Sequence, residues 1–98
     1  MLQATAVIPT EHGSKYLQQL CKHFAHKIDV SFTENHGECT FAMGKGVLDA
    51  DASGVTIVAT APDEEQLERT KSVIESHLVR FAFREELAPF DWHPAAAA

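Results

Sequence analysis

The residues best suited to chemistry lie together in one segment, residues 16–27, which reads YLQQLCKHFAHK. Its apolar residues recur every three or four positions, so the segment predicts an amphipathic helix. At about 100° per residue, a stripe beside the apolar face carries His12, Tyr16, Gln19, His23, His26 and Lys27. Imidazole binds metals and titrates near neutral pH, so this stripe predicts a binding site, with a general base as the catalytic alternative.

Metal binding would start from His23 and His26, which are three residues apart and therefore neighbours on the helix surface. His36, in a predicted turn, and His77, at the edge of a second predicted helix, are the candidate further ligands for a divalent transition metal. The chain has neither an H-E-x-x-H motif nor paired C-x-x-C motifs. The alternative is therefore that these histidines border the core with their rings partly exposed.

A wider ligand site would add the basic residues near the end of the second helix. If Arg80 or Arg84 meets His23 or His26 in space, the group becomes a candidate anion or carboxylate site. The candidate ligand-binding residues are Tyr16, His23, His26, Lys27, His36, Arg80 and Arg84.

Hydrophobic periodicity predicts the elements that must position these residues. Five segments alternate apolar and polar residues and predict strands: 2–8, 28–34, 38–43, 47–51 and 55–61. Thr10 is the expected cap of the first helix, with a start at Ser14 as the alternative, because Gly13 lowers the helix propensity. Pro62, followed by three acidic residues, predicts the start of the second helix, which should run to about residues 84–87.

The resulting order is β-α-β-β-β-β-α, in which short turns make the last four strands an antiparallel meander. Two amphipathic helices and a sheet with one apolar face predict a two-layer α+β fold, with both helices on one side. We expect a single domain over residues 1–93, with Phe90 and Trp92 folding back over the edge of the core. Residues 94–98 are expected to be a frayed tail.

Composition narrows the class of partner. The net charge of −6 argues against nucleic acid, and the expected open sheet face has neither the aromatic nor the basic residues that such binding needs. No segment approaches the roughly 18–20 apolar residues that span a bilayer, and the start has no signal-peptide pattern, so a cytoplasmic protein is expected. Cys21 and Cys39 are expected to be thiols in the core. A small molecule or a protein is the expected partner.

The segment YLQQLCKHFAHK, the turn Asn35-His36-Gly37 and the ending HLVRFAFREEL-x-x-x-x-W resemble a bacterial family of uncharacterised domains. Its members are found alone or appended to siderophore-interacting proteins of the ferric-siderophore-reductase type. The resemblance covers residues 2–93 and implies a TATA-binding-protein-like α+β fold, without an established activity or a role for any residue. The matching positions are Tyr16, Cys21, Lys22, His23, His26, Lys27, His36, Arg80, Phe81, Arg84, Glu85 and Trp92.

Together, the residues and the resemblance predict a non-enzymatic binding or accessory module, linked to iron or siderophore handling and with a siderophore-related partner. One alternative is a small enzyme that uses His23 or His26 as a general base. Another is a homodimerisation domain, since Val7, Val47 and Val58 would form an apolar patch on the open face of the sheet.

Overall fold

A computed structural model of the chain describes residues 2–82 and 90–95. These residues form six strands and two helices, and all strand pairs are antiparallel, in the order β2-β3-β4-β5-β1-β6. The elements in chain order are β1 (Leu2–Pro9), α1 (Gly13–Phe24), β2 (Asp29–Phe32), β3 (His36–Thr40), β4 (Lys45–Asp51), β5 (Gly54–Ala61), α2 (Glu64–Phe81) and β6 (His93–Ala95). The predicted α+β class is confirmed.

Both helices cover the same face of the sheet. The strand residues buried on that face follow the predicted alternation: Ala4, Ala6, Ile8, Cys39, Leu48, Ala50, Val55, Ile57, Ala59 and Ala61. The helices bury Leu17, Leu20, Cys21 and Phe24 from α1 and Leu67, Thr70, Ile74 and Leu78 from α2. Burial of these side chains is the main favourable term that holds the two layers together.

The first helix begins at Gly13, and the predicted Thr10 cap is wrong. Thr10 is buried, and its Oγ1 accepts a hydrogen bond of 3.1 Å from the backbone N–H of His12, which occupies the cap position without a side-chain bond. Gly13 lies so close to the β4–β5 turn that a Cβ there would be 2.9 Å from the carbonyl oxygen of Gly54. The absence of a side chain at Gly13 therefore lets the start of α1 pack against this turn.

The second helix begins at Glu64, with Asp63 as its N-cap. The Asp63 carboxylate accepts a hydrogen bond of 2.8 Å from the backbone N–H of Gln66, which satisfies one of the free donors at the helix start. Glu64 and Glu65 lie in the first turn, where the helix dipole favours negative charge. The predicted continuation to residues 84–87 lies outside the described residues.

The C-terminal segment adds a strand that the sequence analysis did not predict. Residues 93–95 form β6, which pairs with residues 3–5 of β1, so the predicted frayed tail is wrong for Pro94 and Ala95. Phe90 and Trp92 pack against the core, as expected. Within the described ranges, no helix is long and apolar enough to cross a bilayer.

Candidate functional site

The end of α1 meets the C-terminal half of α2 through a group of rings. Phe24 is buried at the last position of α1, and its ring centroid lies 5.0 Å from that of His77 and 5.1 Å from that of Phe41. His23, on the exposed side of the same helix end, lies 5.0 Å from His77 and 5.7 Å from Phe81 between ring centroids. Packing of Phe24 therefore brings two candidate histidines together.

The protonation of His77 follows from its hydrogen bond. Its Nδ1 lies 2.7 Å from the backbone carbonyl oxygen of Val73. A carbonyl oxygen only accepts, so Nδ1 carries the proton and Nε2 is the nitrogen whose lone pair is free in the neutral ring. The bond also holds the ring of His77 against His23.

Three further basic side chains surround His23. The pKa of His23 is lowered from its ordinary value, first by desolvation and then by the charges of His77, Lys27, His26 and Arg80. We call His23, His26, Lys27, His77 and Arg80 the basic cluster. The cluster lies at one end of the helix layer. His23 is in the last turn of α1, His26 and Lys27 are in the turn that follows it, and His77 and Arg80 are in the last turns of α2. The helix predicted over residues 16–27 therefore ends three residues early, at Phe24.

Neither Lys27 nor Arg80 of the basic cluster forms an ion pair with a residue of the described part of the chain. The ion pairs formed there by lysine and arginine involve Lys45, Arg69 and Lys71, not Lys27 or Arg80. This separation is notable because the chain has 14 acidic and only 8 basic residues. Cations that form no ion pair among the described residues of an acidic protein can bind an anion.

The structure does not bring His36 to these residues. His36 begins β3 and faces the open side of the sheet, whereas the helices cover the other side. Its Nδ1 lies 2.6 Å from Asp49 Oδ1 and its Nε2 lies 3.0 Å from Glu38 Oε2. Hydrogen bonds to Asp49 and then Glu38 raise the pKa of His36 above its ordinary value.

The candidate metal set of His23, His26, His36 and His77 is therefore divided between two faces of the sheet. Among residues 2–82 and 90–95, no three His, Cys, Asp or Glu side chains are placed to hold a metal ion together. Tyr16 is buried, with only 6% of its surface exposed, and its ring packs edge-on against His12 at 6.1 Å. Arg84 lies outside the described residues.

Sequence reasoning missed the ion-pair network on the open face. Glu38 also pairs with Lys45 at 2.7 Å, and this bond, followed by the bond to His36, lowers the pKa of Glu38 to about 2. Alternation along β3 places His36 and Glu38 on one face, but their partners depend on the register between β3 and β4. That register sets His36 opposite Asp49 and Glu38 opposite Val47.

Comparison with known proteins supports the fold and gives no activity. The family described as "uncharacterized protein conserved in bacteria (DUF2218)" matches residues 5–93. Among solved structures, the NMR structure of PA4090 from Pseudomonas aeruginosa is similar to this chain, with a TM-score of 0.83 and 33% sequence identity. The alignment covers 99% of this chain and 100% of that one. No curated protein matches the chain.

Proposed function

The chain belongs to DUF2218, a family of uncharacterised proteins conserved in bacteria, and we propose that it is a non-enzymatic module that binds an anionic ligand at the basic cluster. The supporting observation is that α2 brings the His77 ring to 5.0 Å from the His23 ring, between centroids, at the end of α1. The pKa of His23 is lowered there, first by desolvation and then by the charges of His77, Lys27, His26 and Arg80. The lowered pKa means that the cluster disfavours additional positive charge while it is empty. A bound anion would favour the protonated form of His23 and so raise its pKa.

The geometry of the cluster suits an anion that also has an apolar body. The rings of Phe81 and His77 lie beside His23, so they offer apolar surface next to the charged groups. Guanidinium and ammonium groups such as those of Arg80 and Lys27 form charge-assisted hydrogen bonds to carboxylate or other anionic oxygens. Binding would draw on both contributions.

A ferric siderophore is the ligand that we propose within this class. Ferric complexes of catecholate and carboxylate siderophores carry negative charge on an apolar or aromatic framework, which matches the cations and rings of the cluster. The resemblance of the chain to domains found beside siderophore-interacting proteins supports the same choice. The proposal also places the protein in the cytoplasm, where thiols such as those of Cys21 and Cys39 stay reduced.

Calorimetric titration with the ferric tris-catecholate complex, and separately with citrate, tests the proposal. Arg80→Ala or Lys27→Ala should weaken binding by about tenfold, the effect of losing roughly 1.4 kcal/mol at a charge-assisted contact. Lys15→Ala removes the same charge from an exposed part of α1 and is the matched control. An equal loss in Lys15→Ala would indicate general electrostatic attraction, and no saturable binding would exclude the site.

The pH dependence supplies an independent test of the same site. An anion stabilises protonated His23, so binding should tighten as the pH falls below the ordinary histidine pKa of 6.5. His23→Ala should reduce this pH dependence. A binding constant that is flat between pH 7.5 and 5.5 would count against the involvement of the histidines.

An enzyme with His23 as general base is the second candidate. The observation that favours it is the lowered pKa of His23, which keeps the ring unprotonated and able to accept a proton near neutral pH. A screen of ester, amide and phosphoester substrates would test it, with His23→Ala as the control. Turnover that survives in His23→Ala would not belong to this residue.

A further inference from the structure

A cavity of about 420 Å³ lies at the other end of α2, between that helix, the start of β1 and the β6 segment. It is separate from the basic cluster, since Lys71 at its edge precedes Arg80 by nine residues, about 13 Å along the helix. Its volume is in the range of small-molecule sites in proteins. The cavity is therefore large enough to hold a ligand of its own.

The floor of the cavity is apolar because the sheet supplies short side chains there. Ala4, Ala59 and Ala61 form a small buried cluster with Leu67 of α2, against which Leu2 and Trp92 pack. Alanine side chains leave space beneath the first turns of α2 that larger residues would fill. Leu2, Ala4, Leu67 and Trp92 accordingly line the cavity.

Three polar side chains of the cavity wall, those of Trp92, Lys71 and Glu68, already have partners. The Trp92 indole N–H donates a hydrogen bond of 2.9 Å to Glu75 Oε1, which fixes the ring. The Lys71 ammonium is paired with Glu68 and lies 6.0 Å from the centroid of the Trp92 ring. Only 19% of the Lys71 side chain is exposed, and its charge is balanced by the ion pair with Glu68.

One charge at the rim remains without an ion pair in the described residues. Glu64 begins α2 and lines the cavity, and none of the ion pairs formed in the described ranges includes it. Since Glu68 and Lys71 balance each other, the described residues that line the cavity carry a net negative charge at Glu64. An apolar site with a carboxylate at its mouth is complementary to a molecule with an apolar body and a positively charged end.

We propose that this cavity binds a small aromatic or alicyclic amine, with its ring against Trp92 and Leu67 and its ammonium group at Glu64. The ring replaces water on the apolar floor, and the ammonium pairs with the free carboxylate at the rim. The ligand is distinct in charge from the anion proposed for the basic cluster. The two sites are thus separable by experiment.

The chain has one tryptophan, so Trp92 fluorescence reports this cavity directly. The probes are 2-phenylethylamine, its neutral analogue 2-phenylethanol and the anion 3-phenylpropanoate. We expect saturable changes in Trp92 emission with the amine, and binding about two- to fivefold tighter than the alcohol, the range for an exposed ion pair. The anion should bind most weakly. Equal or tighter binding of the anion would overturn the proposal.

Two carboxylate variants locate the charge. Glu64→Gln should abolish the preference for the amine over the alcohol, whereas Glu65→Gln, on the neighbouring position of the same helix turn, should leave it intact. Ala4→Val should fill the floor and weaken all three probes. If that variant does not fold, protection of wild-type Trp92 from acrylamide quenching by the amine replaces it, and unchanged quenching would refute binding in the cavity.

Discussion

Replacing Gly37 of β3 by alanine should destabilise the fold through one contact with α1. A Cβ at Gly37 would lie 2.6 Å from Cys21 Sγ and 3.4 Å from Leu17 Cδ2. Ordinary contact between such atoms is about 3.5–4.0 Å, so the sulfur would have to move by about 1 Å. Cys21 is fully buried and packed, which leaves it no free space for that movement. Since the φ of Gly37 is not positive, the cost is steric rather than conformational.

The expected magnitude follows from two opposing effects. Overpacking of a core costs about 1–3 kcal/mol, and replacing a strand glycine by alanine returns roughly 0.5–1 kcal/mol of backbone entropy. Gly37→Ala should therefore reduce the free energy of unfolding by about 1–2 kcal/mol. Cys21→Ala removes the obstructing sulfur, so adding Gly37→Ala to that variant should be neutral or stabilising. The coupling between the two changes is then about 1–3 kcal/mol in favour of the double variant.

Urea unfolding followed by circular dichroism measures this cycle. The control is Gly46→Ala, whose Cβ would lie 2.7 Å from Ile74 Cδ1, an atom that Ile74→Val removes. The cost of Gly37→Ala should depend on Cys21, and the cost of Gly46→Ala should depend on Ile74. The changes in the free energy of unfolding for Gly37→Ala and Gly46→Ala should be additive. Additive costs for Gly37→Ala and Cys21→Ala would refute the reasoning, because they would show that α1 does not rest on Gly37 through this sulfur.

Three further predictions concern single side chains. Because the pKa of His36 is raised, mainly by Asp49, its contribution to stability is complete below pH 6.5 and is lost as the pH rises through the raised value. The difference in Tm between wild type and His36→Gln should therefore narrow above pH 6.5, and a constant difference would contradict this. Asp63→Ala should lower the free energy of unfolding in urea by about 1 kcal/mol, because the N-cap hydrogen bond of α2 is lost. Asp63→Ser should keep most of this stabilisation, because serine can also cap a helix. Thr70→Val should cost about 0.5–1.5 kcal/mol in the same assay, because the buried Thr70 hydroxyl donates to the Gln66 carbonyl oxygen at 2.8 Å; an unchanged midpoint would show that this bond is not stabilising.

The buried faces were predictable because they depend on local periodicity. In β1, Ala4, Ala6 and Ile8 alternate with outward residues, and this alternation alone identified the core side. In α1, the spacing of Leu17, Leu20 and Phe24 identified the buried stripe. These patterns repeat over several residues, so no single position decides them.

The added strand was not predictable in the same way. Residues 93–95 contain His93, Pro94 and Ala95, which show no apolar alternation typical of a strand. They pair with β1 at the edge of the sheet, where the backbone N–H and C=O groups of β1 are open to hydrogen bonding. Such pairing uses backbone groups and therefore requires little of the side chains. Backbone pairing at a sheet edge therefore imposes no hydrophobic pattern by which the sequence of the pairing segment could be recognised.

The candidate site likewise has a part that the local sequence predicts and a part that depends on tertiary packing. The sequence by itself determined that His23, His26 and Lys27 lie together, because they are separated by only four positions along the chain. The structure places His23 in α1 and the other two in the turn that follows, so the predicted single helix stripe is wrong for His26 and Lys27. The tertiary structure decided that His77 and Arg80 join them and that His36 does not. Those relations depend on how α2 packs against α1 and on the face from which β3 presents His36. The alternation of Glu38 and Cys39 indicates which side of the strand is open, but the sequence predicted a turn at His36. Only the structure shows that β3 begins at His36 and carries its ring on the open face.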